Sequence, residues 1–126
     1  MLSNSQVIPT LPVVNLNRAR NFYEQKLGLK PSGEVQNDSV SYLCGNGTSI
    51  YLYTRNEPTK AEHTSLAFEV NDIESSVKEL RSKGIVFEEY NIPGIKTING
   101  IATIGSDKGA WFKDTEGNIL SLHQKI

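Results

Sequence analysis

The sequence predicts an α+β fold: two β-α-β-β-β halves in a single domain over residues 1–126, at 7–55 and 63–126, joined by a polar link at 56–62. Three observations predict it. Residues 63–84, HTSLAFEVNDIESSVKELRSKG, read as a half-buried strand, a capped helix and a glycine stop. Residues 8–29, IPTLPVVNLNRARNFYEQKLGL, repeat that grammar. Each half then closes with strands joined by a glycine turn, GNG at 45–47 and DTEGN at 114–118.

In the first half Val7–Val14 is the opening strand, and Pro9 and Pro12, each lacking a ladder donor, favour an edge. Asn15 is the N-cap; Leu16, Ala19, Phe22, Tyr23 and Leu27 fall at helical spacing, and Gly28 is the stop. Lys30-Pro31 blocks further helix, and a short strand is expected over 33–36. Val40, Tyr42 and Cys44 alternate with Ser39, Ser41 and Leu43, and the GNG turn leads into SIYLYT. In the second half Leu66, Phe68 and Val70 form one strand face, Asp72 is the cap, and Ile73, Val77 and Leu80 are the helix stripe. The strands VFEEY, GAWFK and ILSLHQ follow. Helices are therefore expected at 15–27 and 72–83. Leu11, Val13, Ile50 and Leu52 should lie under the first, and Leu66, Phe68, Val70, Leu120 and Leu122 under the second.

The offsets point to an internal duplication. Asn15 to Asp72 is 57 residues, Gly28 to Gly84 is 56, and Tyr42 to Phe112 and Gly47 to Gly117 are both 70. The 14 extra residues fall within 91–108, NIPGIKTINGIATIGSDK. Two readings stay open for this apolar insertion: a lid over a binding cleft, or a hairpin extension of its own sheet.

Composition narrows function. The chain is 126 residues long, 37% hydrophobic and 21% charged, with a net charge of −1, which gives no support for a nucleic-acid partner or an anionic membrane. There is no apolar run of membrane-spanning length and no signal-like N-terminus, so a cytoplasmic location is expected. Cys44 is the only cysteine, which excludes an intrachain disulfide.

Together the segments VVNLNRARNFYEQKLGL, LAFEVNDIESSVKELRSKG and WFKDTEGNILSLHQ resemble the glyoxalase / bleomycin resistance / extradiol dioxygenase group, the vicinal oxygen chelate superfamily. The resemblance covers nearly the whole chain. It implies curved mixed sheets around a cleft, completed in a homodimer. It also implies metal ligands at four positions, which in this sequence are Ile8, Tyr51, Ser65 and Ser121. None is a carboxylate or an imidazole, the donors such metals use at about 2 Å. The expectation is therefore a protein with no metal and no cofactor.

By strand parity the cleft face carries Ile8, Thr10, Ser49, Tyr51, Tyr53, Ser65, Ala67, Ser121 and His123. Parity alone leaves open whether Trp111 or Phe112 faces inward. Thr10, Tyr51, Tyr53, Ser65, Trp111, Ser121 and His123 are taken as ligand-binding residues, since stacked tyrosines with hydroxyls suit a small molecule better than a dry core. His63 and His123 are read as rim or cleft histidines, and Glu69 as a solvated carboxylate that a dehydrated cleft would turn into a general base. The function expected is metal-free binding of a neutral or weakly charged aromatic molecule, as in drug or metabolite sequestration. The alternative is a metal-dependent glyoxalase (a lyase) or a dioxygenase-type enzyme with a displaced metal site.

Overall fold

A computed structural model describes residues 1–125, and chain contacts divide it into two units, Met1–Lys60 and Ala61–Ile126. The α+β class holds, with one mixed sheet in each unit.

In the first unit β1 (Thr10–Val13) leads into α1 (Leu16–Asn21), β2 (Ser39–Leu43) and β3 (Ser49–Thr54). The side chain of Asn15 caps α1 by accepting from the Arg18 N–H at 3.0 Å. The helix widens into a π turn over Phe22–Lys26, where the Leu27 N–H reaches back to the Phe22 carbonyl. Gly28 then closes it at φ 73. Strand β1 runs parallel to β3, and β2 antiparallel to it, in the order β1-β3-β2. Leu11, Val13, Val40, Ile50 and Leu52 are buried on one face together with Ala19, Phe22 and Tyr23 of the helical segment, the register expected.

In the second unit β4 (Thr64–Glu69) leads into α2 (Ile73–Ser82), with Asp72 accepting from the Ser75 N–H and Gly84 closing the helix at φ 89. Gln124 adds a tertiary bond, its Oε1 accepting from the Ile73 N–H at 2.7 Å. Strands β5 (Asn91–Ile92), β6 (Ile95–Ile98), β7 (Ile101–Ile104), β8 (Asp107–Lys113) and β9 (Ile119–Lys125) complete a sheet in the order β4-β9-β8-β7-β6-β5. Leu66, Leu120, Leu122 and Phe112 are buried along with Ile73 and Val77 of α2.

Two expected strands shrink. Residues 33–36 form no strand or bridge, the nearest pairing being the single bridge of Pro31 with Tyr42, and VFEEY is reduced to one bridge, Phe87 with Phe112. Pro31 has no N–H to continue the first. In the second, the Tyr90 N–H donates to Thr97 Oγ1 at 2.8 Å, which diverts the chain toward β6. The insertion over 91–108 forms successive hairpins that widen its own sheet.

The duplication is visible in the pairing. Thr10 pairs Tyr51 and Pro12 pairs Tyr53 in the first unit; Ala67 pairs Ser121 and Glu69 pairs His123 in the second. The offsets are 57 on the opening strand and 70 on the closing strand, those of the sequence repeat. The two bridges keep the relation as well, at 56 and 70. Among the described residues no helix is long and apolar enough to cross a membrane.

Candidate functional site

The candidate side chains of the second unit stand on three adjacent strands, β4, β9 and β8. The Asp114-Thr-Glu-Gly-Asn118 turn sets their register. Asp114 Oδ1 accepts from the Glu116 and Asn118 N–H groups at 2.8 and 2.9 Å, pinning the hairpin so that Trp111 faces Ser121 and Gly109 faces His123. Trp111 is therefore on the Ser121 face, and Phe112, fully buried beside Leu120, is on the helix side.

This face holds a depression of about 210 Å³ lined by Ala67, Ile104, Asp107, Gly109, Trp111, Ser121 and His123 among others. A second, of about 200 Å³, is lined by His63, Thr64, Tyr90, Ile92, Ile95 and Trp111 among others. The indole is the wall they share, with Tyr90 set edge-on to it at 5.5 Å between ring centres. The two histidines thus serve different depressions, and Ser65 lines neither. Ser65 sits at an irregularity between Thr64 and Leu66, half-buried.

In the first unit Tyr51 and Tyr53 stack at 6.5 Å with 11° between their planes, both half-buried. Thr10 pairs Tyr51 across the strands, but it is exposed and its hydroxyl donates to the Ile8 carbonyl at 3.1 Å. The expected residues accordingly fall into two groups, Thr10–Tyr51–Tyr53 and Trp111–Ser121–His123.

A residue beside the second group was not expected. Asp107 faces His123, with Oδ2 3.4 Å from Nε2, while Glu69 Oε1 accepts from Nδ1 at 2.5 Å. Hairpin register carries the signal: counting back from the turn pairs Gly109 with His123, which puts Asp107 on the diagonal. The Glu69 hydrogen bond first, and the Asp107 one second, raise the His123 pKa above its ordinary 6.5. Both ring nitrogens face carboxylates, and only the imidazolium can donate to both.

The arrangement does not fit a metal centre. Glu69 and Asp107 approach opposite edges of one imidazole, so the three groups share no point at ligand distance. Among the described residues no group of three or more His, Cys, Asp or Glu side chains is placed to hold a metal ion. Ile8, Tyr51, Ser65 and Ser121 supply no nitrogen or carboxylate donor.

Paired β-α-β modules of this register, with aromatic side chains on the sheet face away from the helix, define a class of duplicated α+β proteins. The chain belongs to the Glyoxalase/Bleomycin resistance protein/Dioxygenase superfamily, whose profile matches residues 6–122. Solved structures with this fold include a glyoxalase family protein from Enterococcus faecalis, 21% identical with a TM-score of 0.73, covering 98% of this chain and 99% of that one. TnmS3, an antibiotic binding protein from Streptomyces sp. CB03234, is 18% identical with a TM-score of 0.65, covering 100% and 99%. The fosfomycin resistance protein FosX from Listeria monocytogenes, in complex with Mn(II) and a sulfate ion, is 16% identical with a TM-score of 0.72, covering 100% and 93%. At these identities the likeness establishes the fold. No curated protein matches the chain at a significant level.

Proposed function

We propose that this protein binds a small aromatic molecule, neutral or weakly charged, without a metal ion, and that it sequesters a drug or metabolite. The observation that carries the reading is Trp111, whose indole walls two depressions and has Ser121 opposite it. A flat apolar ring with one hydroxyl nearby favours stacking and a few hydrogen bonds. The antibiotic-binding relative supports the reading by analogy of fold. The donor set argues against Lewis-acid chemistry, because among the described residues no group of three or more His, Cys, Asp or Glu side chains converges to hold the ion. The working form is a cytoplasmic homodimer, since within each unit the helix covers only one sheet face.

The test uses protein taken straight from cells. Native mass spectrometry should show a retained organic mass, and 1-aminoanthracene, uncharged at neutral pH, should quench the emission of Trp111, the one tryptophan. Stoichiometric zinc, nickel, iron or manganese lost on substituting His123 would overturn the metal-free reading in favour of a displaced-site enzyme. Light scattering should give twice the 14.0 kDa chain mass. A monomer mass would remove the dimer from the proposal.

A further inference from the structure

The end of the Trp111 depression away from Tyr90 carries an imidazole whose protonated form two neighbouring carboxylates favour. The imidazole of His123 lies between Glu69 from β4 and Asp107 from β8, each carboxylate on its own ring edge. With the ring protonated the three groups sum to −1, and without the proton to −2. Beside them the Trp111 indole lies back over Gly109, where a Cβ would stand 3.0 Å from the ring, and Gly109 is the cross-strand partner of His123. An aromatic face, the Asp107 carboxylate and the His123 ring thus line a depression shared with the apolar Ala67, Ile104 and Leu122, and Glu69 adjoins it through its bond to His123.

Two lysines are the other charged side chains nearby. Lys108 lines the depression, but its Nζ is held by Glu74 of α2 at 2.8 Å. Lys125 on β9 is the cross-strand partner of Asp107. Gln124 is neutral and committed to the Ile73 N–H, and β7 contributes no titratable side chain.

We propose that this end of the depression is an exchange site for an organic ammonium group, which replaces the His123 imidazolium as the counter-charge to Glu69 and Asp107. The inference rests on the binding reading above, narrows it to a ligand carrying a single charge, and names that charged part. Anions are repelled by the carboxylates. A bare metal ion gains little, because the two carboxylates do not converge. An alkyl- or arylalkyl-ammonium satisfies both halves of the site, its methyl or methylene groups against the indole and its charge beside the carboxylates. As it enters, His123 loses one proton to solvent, and one carboxylate is released from the ring.

Exchange makes affinity depend on pH in a fixed direction. A permanently charged ammonium competes with the His123 proton, so it binds more tightly as pH rises through the raised His123 pKa. Benzyltrimethylammonium, whose own charge does not titrate, is the probe, and Trp111 fluorescence is the readout. Its affinity should rise roughly threefold to tenfold between about pH 6 and pH 8.5, the scale of one charge at about 5 Å in a wet site. Binding of 1-aminoanthracene should stay flat over that range. His123→Gln should remove the pH dependence, and Asp107→Asn should weaken the ammonium more than 1-aminoanthracene. Calorimetry of the unsubstituted protein in buffers of different ionisation heat should show proton release on binding the ammonium. If 1-aminoanthracene binds while the ammonium does not, or binds without pH dependence or proton release, the exchange site is overturned and the binding reading stands. If neither probe binds, both fall.

Discussion

Trp111 lies over Gly109, its own neighbour but one on β8, with the indole Cη2 3.0 Å and Cζ2 3.3 Å from where a Gly109 Cβ would stand. The close approach fixes the wall between the two depressions, and Gly109 is not at a positive φ that would add backbone strain. Gly109→Ala should therefore act through the ring alone. We expect a shifted Trp111 emission, weaker quenching by 1-aminoanthracene and a stability loss of about 1–3 kcal/mol in urea unfolding. Unchanged emission would show that the ring is not held there.

His123 should titrate above 6.5 when followed by NMR of its ring protons, because the imidazolium gains the Glu69 and Asp107 carboxylates on folding. A folded-state pKa raised above the unfolded value stabilises the fold fully below 6.5, and that contribution is lost as pH rises through the folded value. Glu69→Gln should lower the His123 pKa more than Asp107→Asn. The reverse order would contradict the shorter Nδ1 contact.

The helix caps should behave as equivalents in the two units. Asn15 and Asp72 each accept from the N–H three residues on. Asn15→Ala and Asp72→Ala should each cost about 1 kcal/mol, read as a lower denaturant midpoint with an unchanged slope. A much larger loss at Asp72 would point to a partner beyond the cap.

Tyr42 is fully buried, stacked on Tyr23 at 5.9 Å, and its hydroxyl donates to Glu24 Oε2, which also accepts from Arg20 Nε at 2.7 Å. Burial first, and the Glu24 carboxylate second, push its pKa far up. Tyr42→Phe should cost about 1–2 kcal/mol, and spectrophotometric titration should show Tyr42 still protonated where ordinary tyrosines ionise. Ionisation of Tyr42 near the ordinary tyrosine value of about 10 would place it outside the core.

Residues 91–108 should be slow in hydrogen exchange without any ligand, at least where β6, β7 and β8 pair. Fast exchange that slows on adding 1-aminoanthracene would restore the lid.

What was legible in the sequence was local or periodic. Asn15, Asp72, Gly28 and Gly84 announce the helices because capping chemistry acts within a turn. Leu11, Val13, Ile50 and Leu52 announce the buried face because a strand alternates. Trp111 and Phe112 could not be told apart, since both are aromatic and adjacent; the pairing of β8 with β9 separates them. The VFEEY segment has strand chemistry, yet the Tyr90 N–H is claimed by Thr97, and a tertiary bond of that kind leaves no periodic trace. Asp107 went unread because it lies in the insertion, beyond the reach of the duplication offsets. Its relation to His123 appears only when register is counted from the Asp114 turn.

The repeated register has a consequence for building on this chain. Pro12 opposite Tyr53 occupies the same place in the first unit that Glu69 opposite His123 occupies in the second. The fold therefore carries a blank copy of the charged platform on an equivalent parallel strand pair. Writing Pro12→Glu and Tyr53→His into it would ask whether a carboxylate–imidazole pair arises from backbone geometry alone, with the untouched original in the same molecule as its reference.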